Sequence, residues 1–140
     1  MKWSEVERLV RDLEFRELDV LVAEKVMGTK GIIWQDRIAS EHVRQPTIGY
    51  EYDPGKFVPV GTNRDGFYQT RLPYYTMSIA DAWLLVEKLC PAEDEFRIRR
   101  FHNQDWACTF QYFDGGGDDG IANTAPLAIC LAALKTVIRQ

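Results

Sequence analysis

Hydrophobic positions recur at helical spacing in four stretches of the chain. Val6, Leu9, Val10 and Leu13 form a first stripe, and Ser4 followed by Glu7 reads as a capping box ahead of it. The phase is lost at Glu14-Phe15-Arg16 and restarts with Leu18, Leu21, Val22 and Val26, where Gly28 is a natural stop. The spacing predicts helices over 4–13 and 16–27, with Glu14, Arg16, Glu17, Glu24 and Lys25 as a solvated face. A third stripe, Ile79, Ala82, Trp83, Val86 and Leu89, follows Ser78, a capping residue, and carries Asp81 in its first turn. Cys90-Pro91 ends it, and Trp83 reads as a core ring. The fourth stretch is different. From Ala125 to Leu134 there is no charge, and Leu127, Leu131, Leu134 and Ile138 recur on one face while Ala128, Ile129, Ala132 and Ala133 make the others apolar. A helix apolar nearly all round is covered on more than one side, so the rest of the chain is expected to pack over this one. Thr124 or Asn123 can cap it, and Pro126 falls in the first turn, where no N–H is needed.

Period-two alternation marks one hairpin. Phe96 and Ile98 alternate with Glu95, Arg97 and Arg99; His102-Asn-Gln-Asp105 is turn material; Trp106, Cys108, Phe110 and Tyr112 alternate with Ala107, Thr109 and Gln111. The segment Asp114-Gly-Gly-Gly-Asp-Asp-Gly120 then reads as a flexible acidic turn into the last helix. Residues 29–75 show neither period cleanly. Pro46, Gly49, Asp53-Pro-Gly55, Pro59, Gly61, Gly66 and Pro73 punctuate short aromatic and β-branched runs, which fit short strands or extended loop equally. Tyr50, Tyr52, Phe57, Phe67, Tyr68, Tyr74 and Tyr75 could line a ligand cleft or an oligomer contact, or seal the edge of a small core.

Composition narrows the class. At 140 residues the chain is expected to be one domain, with 1–14 as an N-terminal helical extension and 29–75 as an irregular, aromatic-rich insertion. A net charge of −4 argues against nucleic acid held by bulk electrostatics. Cys90, Cys108 and Cys130 lie far apart without a CxxC partner, which points away from a zinc site or a disulfide framework and toward a reducing cytoplasm. The charged start lacks the pattern of a signal peptide, and the longest apolar run is too short for a membrane span.

The candidate chemistry is sparse. Gly115-Gly-Gly-Asp-Asp-Gly120 spells G-x-G-x-x-G between a strand and a helix, but Asp118 and Asp119 have the wrong sign for a pyrophosphate, and no strand follows the last helix to complete a βαβ unit. The same loop lacks the ligand spacing of a calcium site. His42 and His102 have no partners at metal-ligand spacing, although Cys108 and His102 share the hairpin. No nucleophile elbow is present. Catalytic residues, metals and cofactors are therefore not expected. Arg97 and Arg99 fall on one strand face, where they could hold a phosphate or carboxylate, or neutralise Glu93, Asp94 and Glu95.

Four stretches carry a family resemblance: Arg16-Glu-Leu-Asp-Val-Leu-Val-Ala-Glu-Lys-Val-Met-Gly28, the run Pro73–Leu89 with its Tyr-x-x-x-Ile-x-x-Ala-Trp start, Trp106–Phe110, and Thr124-Ala-Pro-Leu-Ala-Ile-Cys-Leu-Ala-Ala-Leu-Lys135. Together they resemble the phage ABA-sandwich domain family, small proteins of phages and prophages. The resemblance covers most of 15–138. It implies an α+β fold, a three-layer α/β/α sandwich with a small, mainly antiparallel sheet and a buried C-terminal helix, in a protein of the host bacterial cytoplasm. It brings no catalytic residues with it. The functional expectation is a non-catalytic accessory module that binds a small ligand, for example a nucleotide-like one, or a host protein, with Arg97, Arg99, Tyr50, Tyr52, Tyr74 and Tyr75 as candidate ligand contacts. The alternative is a self-associating structural or assembly component.

Overall fold

The computed structural model describes residues 2–35, 45–53, 56–59, 68–90, 95–111 and 117–138. They fall into two compact units, one formed by Met1–Met27 with Tyr74–Gln140 and the other by Gly28–Pro73. The chain is α+β, with four helices and a small antiparallel three-stranded sheet in the first unit.

In the first unit the apolar rod is the last helix, α4 (Ala125–Val137), in which every residue from Leu127 to Leu134 is buried. The Thr124 hydroxyl accepts a 3.4 Å hydrogen bond from the Leu127 N–H, and Pro126 occupies the first turn. A helix without a polar face can be stable only when packed on several sides. Here two strands, Trp106–Gln111 and Gly117–Ala122, and two helices, Phe15–Lys25 and Ile79–Leu89, all pack against α4. The helix α3 (Ile79–Leu89) begins as its sequence predicts, with Ser78 Oγ accepting from the Asp81 N–H at 3.3 Å. Trp83 corrects the core-ring expectation. It stands edge-on to Phe96 (centroids 5.6 Å apart, planes at 86°) yet is 45% exposed, on the outer flank of α3.

The first two helices, α1 (Trp3–Arg11) and α2 (Phe15–Lys25), are joined by a tight reversal. The Glu14 N–H reaches back to the Leu9 carbonyl at 2.9 Å and the Leu13 N–H to Val10 at 3.2 Å, a Schellman-type stop. Its left-handed position is held by Leu13 at φ 58° rather than by glycine. The expected Ser4–Glu7 capping box is not what starts α1: Lys2 is the N-cap, without a side-chain cap bond, and Ser4 already lies inside the helix.

The sheet of this unit has the order β5-β6-β7, with β5 Glu95–Arg100, β6 Trp106–Gln111 and β7 Gly117–Ala122, all antiparallel. The β5–β6 hairpin is the one read from alternation. The third strand is not: Gly117–Gly120, expected as part of a flexible acidic turn, pairs with β6 in register Cys108↔Gly120 and Phe110↔Asp118. The reason is tertiary. A methyl group at Gly120 would run into the Ala128 carbonyl oxygen and the Ala132 nitrogen of α4 and lie 3.0 Å from the Ala132 Cα. Glycine stands there because the helix backbone comes that close, not because the chain turns.

That contact orients the whole sheet. Directly opposed residues of antiparallel strands share a face. Ile98, Cys108 and Gly120 therefore face α4, together with Phe96 and Phe110, whose rings are 5.1 Å apart. Arg97, Thr109 and Asp119 form a row on the opposite face, next to Arg99, Ala107 and Ile121.

In the second unit, β2 (Gln45–Asp53) is the centre of an antiparallel four-stranded sheet with β1 (Ile32–Gln35), β3 (Lys56–Pro59) and β4 (Tyr68–Arg71). Ile48 pairs with both Ile32 and Thr70, and Tyr50 with both Pro59 and Tyr68. A residue has one ladder neighbour on each side, so β1 and β3 share one edge of β2 and β4 takes the other. Among the described residues, Ile32–Gln35, Gln45–Asp53, Lys56–Pro59 and Tyr68–Arg71 of the aromatic-rich stretch are thus strands.

Candidate functional site

A cleft of about 370 Å3 opens between α1, β7 and α4. The first helix supplies Trp3, Val6, Glu7, Val10 and Arg11, residues at helical spacing on one flank; α4 supplies Leu131 and Lys135, one turn apart; β7 supplies Asp119, Gly120 and Ile121. Apolar side chains make the floor, and charge of both signs rings the rim. Lys135 Nζ lies 5.2 Å from the Trp3 ring centroid, a cation–π contact that ties α4 to the start of α1. Asp119 accepts a 2.5 Å hydrogen bond from the Thr109 hydroxyl. The described lining carries Glu7, Arg11, Asp119 and Lys135 and no serine, cysteine or histidine.

Arg97, Arg99, Tyr74 and Tyr75 are not among the residues that line the cleft. Arg97 and Arg99 are exposed on the sheet face opposite α4. Arg97 donates from Nε and from a terminal nitrogen to one Glu95 oxygen at 3.2 and 3.0 Å, the neutralising arrangement considered for it; Arg99 lies over the Phe101 ring at 5.0 Å. Tyr75 is buried in the core. The Tyr74 ring is covered by the Arg16 guanidinium at 3.8 Å. Tyr50 and Tyr52 lie on β2, with their side chains outside the described residues, as are His42, Phe67, Glu93, Asp94 and Asp114.

Arg16 also corrects the reading of a solvated helix face. Its guanidinium sits 2.6 Å from Asp19 Oδ2, and Asp19 is fully buried. Asp19 Oδ1 accepts the Thr76 N–H at 2.8 Å, which fastens α2 to the segment ahead of α3, and the Tyr74 N–H donates to Asp81 at 2.8 Å. Burial pushes the Asp19 carboxyl above its ordinary value, and the Thr76 and Arg16 hydrogen bonds oppose that shift. This cluster is internal, fixing backbone rather than meeting a ligand. No sequence period signals it, because its partners lie 57 residues apart.

The thiols are inert in the same sense. Burial pushes Cys108 up to about 12 and Cys130 well above its usual range, with the Asp19 and Cys108 charges adding to the effect on Cys130. Neither is a thiolate near neutrality, so neither is poised as a nucleophile. His102, on the hairpin turn, is exposed while Cys108 is buried. Among the described residues no group of three or more His, Cys, Asp or Glu could hold a metal ion, and no helix is long and apolar enough to cross a membrane.

The phage ABA sandwich domain matches residues 20–134. A solved structure described as a phage protein from Bacillus cereus ATCC 14579 is similar over 87% of this chain and 85% of that one, at 26% identity and a TM-score of 0.53. No curated protein matches. The matched residues include β7 and most of α4 but not α1, so one wall of the cleft stands outside the family match.

Proposed function

Because the chain belongs to the phage ABA sandwich domain family and is a phage protein, we propose that it is a non-catalytic binding module whose cleft between α1, β7 and α4 takes up a small ligand or a segment of a host protein. One observation carries this reading. Trp3, two cations, two carboxylates and several apolar side chains converge on a single concave surface. Ligand sites are mostly concave and apolar, with a few charged groups that orient what binds. Arg97 and Arg99, displayed on the outer face of the sheet, offer the same module an anion contact.

A thermal-shift screen of nucleotides and small carboxylates tests the reading. The expected result is a rise in melting temperature with at least one compound, lost in Trp3→Ala. Dependence on Arg97→Ala with Arg99→Ala instead would move the site to the outer sheet face.

A second reading, self-association into an assembly component, has its own support. Ile79, Trp83 and Leu84 on α3 are 52%, 45% and 39% exposed, an apolar flank rather than scattered single residues. Light scattering on the same samples separates the two: a large assembly broken by Trp83→Glu, together with no ligand response, favours self-association.

A further inference from the structure

Asp119, Gly120 and Ile121 are consecutive, and consecutive strand residues point to opposite faces of a sheet. A cleft lined by all three therefore meets β7 at its edge, not on a face. Among the described residues the strand is the last of its sheet and pairs with β6 alone. Among the described residues, no backbone hydrogen bond outside that pairing reaches any residue of Gly117–Ala122. Half of the strand's N–H and C=O groups thus point away from β6, toward the side on which the cleft opens. The opposite edge of the sheet is treated differently. There β5 carries Glu95, Arg97, Arg99 and Arg100, all exposed, the kind of charged border that discourages pairing. The β7 edge shows small or apolar residues at Gly120, Ile121 and Ala122, and its Asp119 is already bonded to Thr109.

Resting on the cleft reading above, we propose that the occupant is an extended peptide segment of a partner protein, which adds to the edge of β7 as a fourth strand and sets alternate side chains against Val10 and Leu131. An open row of alternating donors and acceptors matches another extended backbone, whereas a small molecule could satisfy only one or two of its groups. A second copy of this chain is the weaker fit. It would bring its own α1, which flanks β7, to the same edge.

The test starts by panning a displayed library of linear peptides against the full chain and measuring affinity for a selected peptide by fluorescence anisotropy. Its amides are then N-methylated one at a time. The expected result is a period of two: methylation at alternate positions weakens binding by about tenfold or more, since each such amide has lost a ladder bond, while the positions between change it little. Val10→Arg, which fills the groove, abolishes binding. The methyl scan alters only the peptide, so it decides the matter even where Val10→Arg perturbs folding. A flat methyl scan, or dimerisation of the chain abolished by Val10→Arg, overturns strand addition. Failure to select any peptide, with a small ligand still lost in Trp3→Ala, refutes the peptide and leaves the cleft standing. Failure of both peptide and small-ligand binding refutes both.

Discussion

The two edges of the three-stranded sheet make an instructive pair. On β5, apolar and charged residues alternate, every charged side chain is exposed, and the strand can be read directly from its period. On β7 the residues are Gly-Asp-Asp-Gly-Ile-Ala, a composition that spells turn, yet the strand is seated more firmly on α4 than β5 is. Ile98, Cys108 and Gly120 form one row across the sheet, with Ile98 39% exposed at one end and Gly120 pressed against the helix backbone at the other. A strand can be specified by its own pattern or by what lies over it, and this sheet uses both.

The comparison can be broken at Gly120. Gly120→Ala forces a methyl into the Ala128 and Ala132 backbone, which cannot rotate away as a side chain could. The expected loss is about 3 kcal/mol or more in urea denaturation, at the upper end for overpacked sites. At the other end of the row, Ile98→Ala removes more atoms but leaves a half-open site, so about 1 kcal/mol is expected. A larger loss at Ile98 than at Gly120 would invert the picture. Farther out, Arg97→Ala breaks a pair in which both side chains are about two-thirds exposed, and should stay within about 0.5 kcal/mol. The row's middle member gives the finest check. With Cys108 pushed up to about 12, its thiol should stay unlabelled by iodoacetamide at pH 8 in the folded chain and react only on unfolding.

How much of this the residues disclosed on their own follows from where the determinants sit. The buried character of α4 was plain, because an uncharged run from Ala125 to Leu134 needs no knowledge of its partners. The Ser78 and Thr124 caps were plain for the same reason: each acts on an N–H three residues away. What was hidden depends on contacts far along the chain. Glycine at 120 answers to Ala128 and Ala132, and Arg16, with the sequence of a solvated helix charge, answers to a buried Asp19 that also holds Thr76. Trp83, apolar and in phase with its helix, belongs to the face that α3 leaves exposed. The cleft was hidden for a related reason, since its walls come from residues 3–11, 119–121 and 131–135 and no local motif joins them. Arg97 and Arg99 share a strand face, as their alternation implies, but that face is opposite the one that packs on α4.

Residue-resolved hydrogen exchange along Gly117–Ala122 tests most directly the claim that β7 is a paired strand with an open outer edge. The account predicts an alternation, every second amide protected by its bond to β6 and those between exchanging rapidly into the cleft. Uniformly fast exchange would return the segment to the turn its composition suggests, and uniform protection would mean that the edge is already covered.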